Sequence, residues 1–139
     1  MKKIIFLNSK QDITSEMIDG FFVGWQNAPN NQTFLNILGN SYKIVLAVSN
    51  KKLVGFITAI SDGILSAYIP FLEVLPQFQN KGIGAELVNR MKEELNNIYM
   101  VDLICDKSLE KYYKKFGFTK YSGMILRNYE FQNGTKENL

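Results

Sequence analysis

Apolar positions fall into two kinds of run along this chain. Residues 3–7, Tyr42 to Ser49, Leu53 to Ile60, Ile64 to Leu75 and Tyr99 to Cys105 are short, β-branched or aromatic stretches bounded by turn residues, which predicts strands. Asn50-Lys51-Lys52 turns the chain between two of them, and Asp62-Gly63 is a hairpin signal. Pro70 interrupts the fourth run and predicts an edge, a bulge or a splay there. Helical spacing appears elsewhere. Met17, Ile18, Phe21, Phe22 and Trp25 predict a helix from Asp12 or Thr14 to about Trp25, and Thr33 to Leu38 predicts a second, stopped at Gly39-Asn40. Ile83, Leu87, Val88, Met91 and Leu95 share one face of a long helix over Gly82 to Asn97. A short helix covers Ser108 to Phe116 and closes at Gly117. Thr119 to Tyr121 and Met124 to Tyr129 read as a terminal hairpin, and 132–139 as a frayed tail.

This order predicts one α/β domain over 1–139 with a mixed, mostly antiparallel sheet flanked by helices. The long helix at 83–97 joins two strands as a right-handed crossover.

Composition narrows the chemistry. The 139 residues carry a net charge of +3, spread without a basic stripe, so no nucleic-acid partner is expected. The one cysteine, Cys105, excludes an intramolecular disulfide. The N-terminal apolar run, Ile4 to Leu7, is shorter than the roughly 7–15 residues of a secretory signal. No stretch approaches the ~18 apolar residues of a membrane span, so a cytoplasmic protein without a membrane partner is expected. Histidine is absent, which removes Ser-His-Asp and Cys-His nucleophile pairs and the common zinc sites; no metal is expected. Acid–base work falls to carboxylates, tyrosines, lysines or water.

Gln79-Asn80-Lys81-Gly82-Ile83-Gly84-Ala85 lies between a strand and the long helix. Two glycines one residue apart let backbone approach a ligand, and the free N–H groups of a first helical turn favour an anion such as phosphate. Gln79 adds a donor and Lys81 a charge. A dinucleotide fingerprint would need a third glycine where Leu87 stands, and no P-loop run exists. Gln79, two residues, Gly82, one residue and Gly84 resemble the pyrophosphate motif of the GNAT superfamily of N-acetyltransferases. Val74-Leu75-Pro76 resembles that family's strand exit, and the element order resembles its fold over nearly the whole chain. The resemblance implies acetyl-CoA as co-substrate, held by residues 79–85. It also implies a sheet splayed between the strands before and after the long helix, where the pantetheine arm enters.

Tyr112-Tyr113-Lys114-Lys115-Phe116-Gly117-Phe118 resembles the family's second motif, with Tyr113 at its tyrosine position. That hydroxyl, by resemblance, protonates the departing thiolate, whereas Tyr112 reads as core. Backbone N–H groups near Leu72 to Val74 would stabilise the developing oxyanion. The best candidate for the general base is Glu73, which simple alternation places on the face of Leu65, Ala67, Ile69 and Phe71 and which otherwise reads as an exposed strand-end glutamate; its rival is Asp106, which reads first as a helix N-cap or turn residue. Cys105 ends an apolar strand and reads as a packed thiol. By the same resemblance the acceptor is an amine bounded by 12–40, where Phe21, Phe22, Trp25 and Phe34 stand among amide-rich neighbours; these aromatics equally read as core. Direct acetyl transfer leads. A catalytically weak acyl-CoA-binding or sensing domain, or a nucleotide module of another class, stands behind it. A homodimer is compatible with all three.

Overall fold

The computed structural model describes residues 3–135. Five strands lie in the order β1 (Ile5–Leu7), β2 (Lys43–Ser49), β3 (Lys52–Ser61), β4 (Ser66–Val74) and β5 (Met100–Leu103). The first four are mutually antiparallel, and β5 runs parallel to β4. The β2–β3 turn uses left-handed Asn50 and Lys51, the twist a two-residue hairpin requires. At the next hairpin, Asp62 Oδ1 accepts from the amides of Ile64 (2.8 Å), Leu65 (2.9 Å) and Ser66 (3.2 Å). Those three donors hold its carboxyl below the usual carboxylate range.

Helix α2 (Ile83–Glu94) crosses from β4 to β5 and covers one face of the sheet. Its Leu87, Val88 and Met91, with Leu95 just beyond, pack on Val45, Ile57, Ala67 and Ile69. Helix α1 (Asn31–Asn40) lies on the opposite face, where Phe34 and Leu38 join Phe21, Phe22, Leu46, Leu53 and Phe56. The Asn30 side chain accepts from Thr33 N at 2.8 Å and caps α1. Each large side chain so buried stabilises the fold by about 1.5–3 kcal/mol.

Two expected elements are absent. The stretch 12–25 is a loop containing one 3₁₀ turn, Ser15–Met17. Gly20, Phe22 and Gly24 have φ of +94°, +61° and +84°, which no right-handed helix contains. Its apolar residues nevertheless reach the core, because Ile18, Phe21 and Phe22 are buried. Residues 118–128 form no hairpin and are followed by a 3₁₀ turn, Tyr129–Phe131. Of the expected tail, Gln132 Oε1 accepts from Asn27 N at 2.9 Å and Gly134 lies against Thr33. Residues 136–139 lie outside the described residues.

Candidate active site

The site begins where the sheet opens. The β4–β5 ladder runs only from Ser66↔Met100 to Ile69↔Leu103. Beyond it, β4 continues against β3 alone, with Phe71, Leu72, Glu73 and Val74 opposite Thr58, Ile57, Phe56 and Gly55. Ile69 and Pro70 together oppose Ala59, so the proline sits in a β-bulge where the ladder ends. The bulge shifts the side-chain alternation by one. Ala67 and Ile69 pack with α2, whereas Phe71 and Glu73 belong to the opposite face. Simple alternation had put Glu73 with Ala67 and Ile69, and the extra residue at Pro70 moves it. Leu72 and Val74 take the α2 side.

The glycine loop stands at the end of this opening. A 3₁₀ turn, Pro76–Phe78, leads into extended Gln79, then Asn80 with φ of +62° and Gly82 with φ of +84°. Gly82 is the residue before α2, and no side chain caps the helix there. The N–H groups of Ile83, Gly84 and Ala85 therefore retain their capacity for an anionic ligand. Gln79 Nε2 donates to Val74 O at 2.9 Å, tying the loop to the end of β4. Lys81 Nζ rests 5.6 Å from the centre of the Phe78 ring. Gly84 is needed for a close approach. A Cβ at this position would stand 2.9 Å from the Tyr112 hydroxyl.

Tyr112 and Tyr113 sit on α3 (Glu110–Lys114), which follows a 3₁₀ turn at Lys107–Leu109. Lys92 Nζ of α2 donates to Phe116 O at 2.6 Å and fixes α3 relative to the glycine-loop helix. Gly117, with φ of +96°, then turns Phe118 back so that its N–H donates to Tyr113 O at 3.4 Å. Tyr113 packs against the α2 core, and its ring meets Tyr112 at 5.2 Å and Phe118 at 6.0 Å. Burial, then the neighbouring Tyr112 and Cys105, push its hydroxyl up to about 12. Burial raises Tyr112 as well. The Cys105 thiol is raised by burial, then by Glu110 and Asp106, so it stays a neutral thiol. Asp106 flanks the 3₁₀ turn, with its carbonyl accepting from Leu109 N and its side chain making no cap bond.

Glu73 accepts from the amides of Phe22 (2.9 Å) and Val23 (3.2 Å). Around it the rings of Phe22, Trp25 and Phe71 meet at centroid separations of 5.1 to 6.2 Å. A wide groove of about 840 Å³ elsewhere, lined by Phe6, Asp12, Glu86, Arg90 and others, includes neither the glycine loop nor the tyrosines.

A family model described as an acetyltransferase (GNAT) domain matches residues 10–129. The chain belongs to the GNAT acetyltransferase family. An uncharacterised N-acetyltransferase, ycf52, of Pyropia yezoensis is 30% identical over 127 residues, covering 85% of this chain and 72% of that protein. The chloroplastic GCN5-related N-acetyltransferase 3 of Arabidopsis thaliana is 34% identical over 116 residues, covering 82% of this chain. This chain spans 47% of that relative's length. The crystal structure of a Deinococcus radiodurans R1 protein assigned as an acetyltransferase superposes with a TM-score of 0.92 at 39% identity, covering 95% of this chain and 93% of that one. This GNAT acetyltransferase thus has the splayed sheet that its motifs imply.

Two features of the site escaped the sequence. Tyr112, read as core, brings its hydroxyl against Gly84, and adjacent tyrosines carry no sign of which one faces the loop. The pairing of Glu73 with a backbone 50 residues away joins parts of the chain that no local pattern connects.

Proposed function

We propose that this GNAT acetyltransferase transfers the acetyl group of acetyl-CoA directly to an amine. The observation that carries this reading is the opening between β4 and β5, with uncapped helix N–H groups at one side and Tyr113 packed beside α2. The first-turn N–H groups of α2 and Lys81 suit the pyrophosphate, and Gly82 and Gly84 keep the loop clear of Cβ atoms. Gln79 stiffens the loop through Val74 O and retains its other amide hydrogen for the ligand. Backbone N–H groups over Leu72 to Val74 suit the negative charge that develops on the carbonyl oxygen.

Acetyl-CoA supplies an activated thioester, and the chain supplies binding and proton management. Tyr113 acts as the acid. Its hydroxyl stays protonated across the physiological range, and it is a weaker acid than a thiol of about 8.5. It therefore contributes first as a hydrogen-bond donor to the sulfur, with the proton following as charge builds there. Glu73 acts as base, directly or through water. Each of its oxygens accepts one backbone N–H and keeps a second lone pair for an incoming amine or water. The Phe22, Trp25 and Phe71 rings around it favour an acceptor with an apolar body beside its amino group.

Calorimetry with CoA, acetyl-CoA, ATP and NAD tests the donor: binding of the first two alone is expected, and preference for ATP or NAD overturns the assignment. A screen of amines that reads free thiol released from acetyl-CoA then tests transfer. Tight acetyl-CoA binding without thiol release from any amine would make the chain a sensor instead.

A further inference from the structure

Gly84 stands in the first turn of α2, and its backbone does not call for glycine. Its φ is not positive, and alanine suits a helix better than glycine does. Gly82 is the reverse case, with φ of +84° and open space where a Cβ would stand. What requires glycine at 84 is a side chain. A Cβ there would stand 2.9 Å from Tyr112 Oη and 3.8 Å from Val74 Cγ2, and among the described residues no third atom from another element comes within 4 Å. Tyr112 is not free to step aside, because its ring packs edge-to-face on Tyr113 and Phe116, each at 5.2 Å. Its hydroxyl therefore occupies the junction where the end of β4, the first turn of α2 and α3 meet. A half-buried phenol ordinarily finds a partner, yet among the described residues this hydroxyl makes no hydrogen bond.

We infer, resting on the acetyl-CoA reading above, that Tyr112 is a cofactor-binding residue whose hydroxyl donates to the pyrophosphate beside the N–H groups of α2, and that residue 84 is glycine to make room for that hydroxyl. Oη lies within about 4.5 Å of Gly84 Cα, and so within about 6 Å of the Gly84 nitrogen. Two donors at that separation reach different oxygens of one phosphate, each at about 2.8 Å. Burial raises the Tyr112 hydroxyl, so it stays protonated at neutral pH and meets an anion as a donor. A hydrogen bond to a charged acceptor is about twice as strong as one between neutral groups. The two adjacent tyrosines thus divide their work. Tyr113 packs into the α2 core, and Tyr112 faces the turn where the phosphate charge is met.

Calorimetry with CoA on four proteins tests this: the unaltered chain, Tyr112→Phe, Gly84→Ala and the double variant. Tyr112→Phe keeps the ring and its packing, and is expected to weaken CoA binding ~10–100-fold. Gly84→Ala is expected to weaken binding at least ~10-fold alone, because its Cβ drives the hydroxyl from its place, and less than ~3-fold in the Tyr112→Phe background. Thermal melts of the same proteins give a readout without ligand. Gly84→Ala is expected to lower the melting temperature of the unaltered chain and to raise that of Tyr112→Phe, where only the helical preference for alanine remains. Dephospho-CoA, which keeps the pyrophosphate and lacks the 3′-phosphate, is expected to show the same Tyr112→Phe loss. A loss confined to CoA would place the hydroxyl on the 3′-phosphate and overturn the pyrophosphate assignment. Equal CoA affinity of Tyr112→Phe and the unaltered chain overturns the inference, as does a Gly84→Ala loss of the same size in both backgrounds, which would assign that glycine to the ligand. Failure of the unaltered chain to bind CoA removes the acetyl-CoA reading itself.

Discussion

Tyr113 carries the acid role through one oxygen atom, and its ring does separate work in the core. Tyr113→Phe keeps the ring against Phe118 and α2, so the fold is expected to survive. Turnover is expected to fall ~10²–10⁴-fold with little change in acetyl-CoA affinity, read by steady-state kinetics beside calorimetry. The raised hydroxyl also makes a pH prediction. A tyrosine at about 12 in the fold and about 10 unfolded binds its proton more tightly when native. Its stabilising effect is fully present below pH 10 and is lost as pH rises towards 12. Thermal melts from pH 9 to 11.5 are therefore expected to fall more steeply for wild type than for Tyr113→Phe; parallel curves would contradict the burial argument. The same hydroxyl gives no alkaline loss of activity below about pH 11. At the loop, Gly82→Asp puts a side chain at φ of +84° and a carboxylate beside the proposed phosphate site. CoA binding is expected to vanish in a folded variant, and unchanged affinity would remove the anion assignment.

Elements divide sharply in how well the sequence revealed them. The strands and α2 are legible because each is a regular stretch, with β2 and β3 as continuous apolar runs buried on both faces and α2 at helical spacing, and the glycine turn is legible from its two glycines. The 12–25 loop does not, since its aromatics sit at helical spacing while their backbone passes through three left-handed residues. Phe22 holds φ of +61° where its amide and the next reach the Glu73 carboxylate, a tertiary bond that outweighs local preference. The bulge at Pro70 was anticipated as one of three outcomes, but which face Glu73 takes depends on the bulge's register. The stretch 118–128 has strand-forming residues, yet among the described residues it joins no ladder, so its apolar pattern alone does not make it a strand. Glu73 links loop and strand, so two variants separate its roles. Glu73→Gln keeps an acceptor oxygen and is expected to depress the rate most at low pH, where amine deprotonation most needs a base. Glu73→Ala is expected in addition to speed exchange of the Phe22 and Val23 amides at least ~10-fold. Normal exchange in both variants would separate the carboxylate from the loop.

Taken as a whole, the molecule sets two packed layers about a sheet that opens at one edge. Its +3 charge is diffuse, so attraction of a polyanion depends on local groups. Lys81→Ala is expected to weaken CoA binding by an amount that shrinks between 50 and 500 mM salt, whereas the Gln79→Ala loss stays constant. Equal salt slopes would contradict the division between charge and hydrogen bond. The opening between β4 and β5 has a kinetic consequence. Pro70 offers no N–H where the ladder ends, and the bulge turns the following residues away from β5 register. The gap is therefore built into the backbone itself, and no strand pair must unzip to admit a ligand. An entering pantetheine arm meets no conformational tax, so its apparent association rate is expected to rise linearly with CoA concentration in a single phase. A rate that reaches a plateau would mean that the sheet zips shut between turnovers.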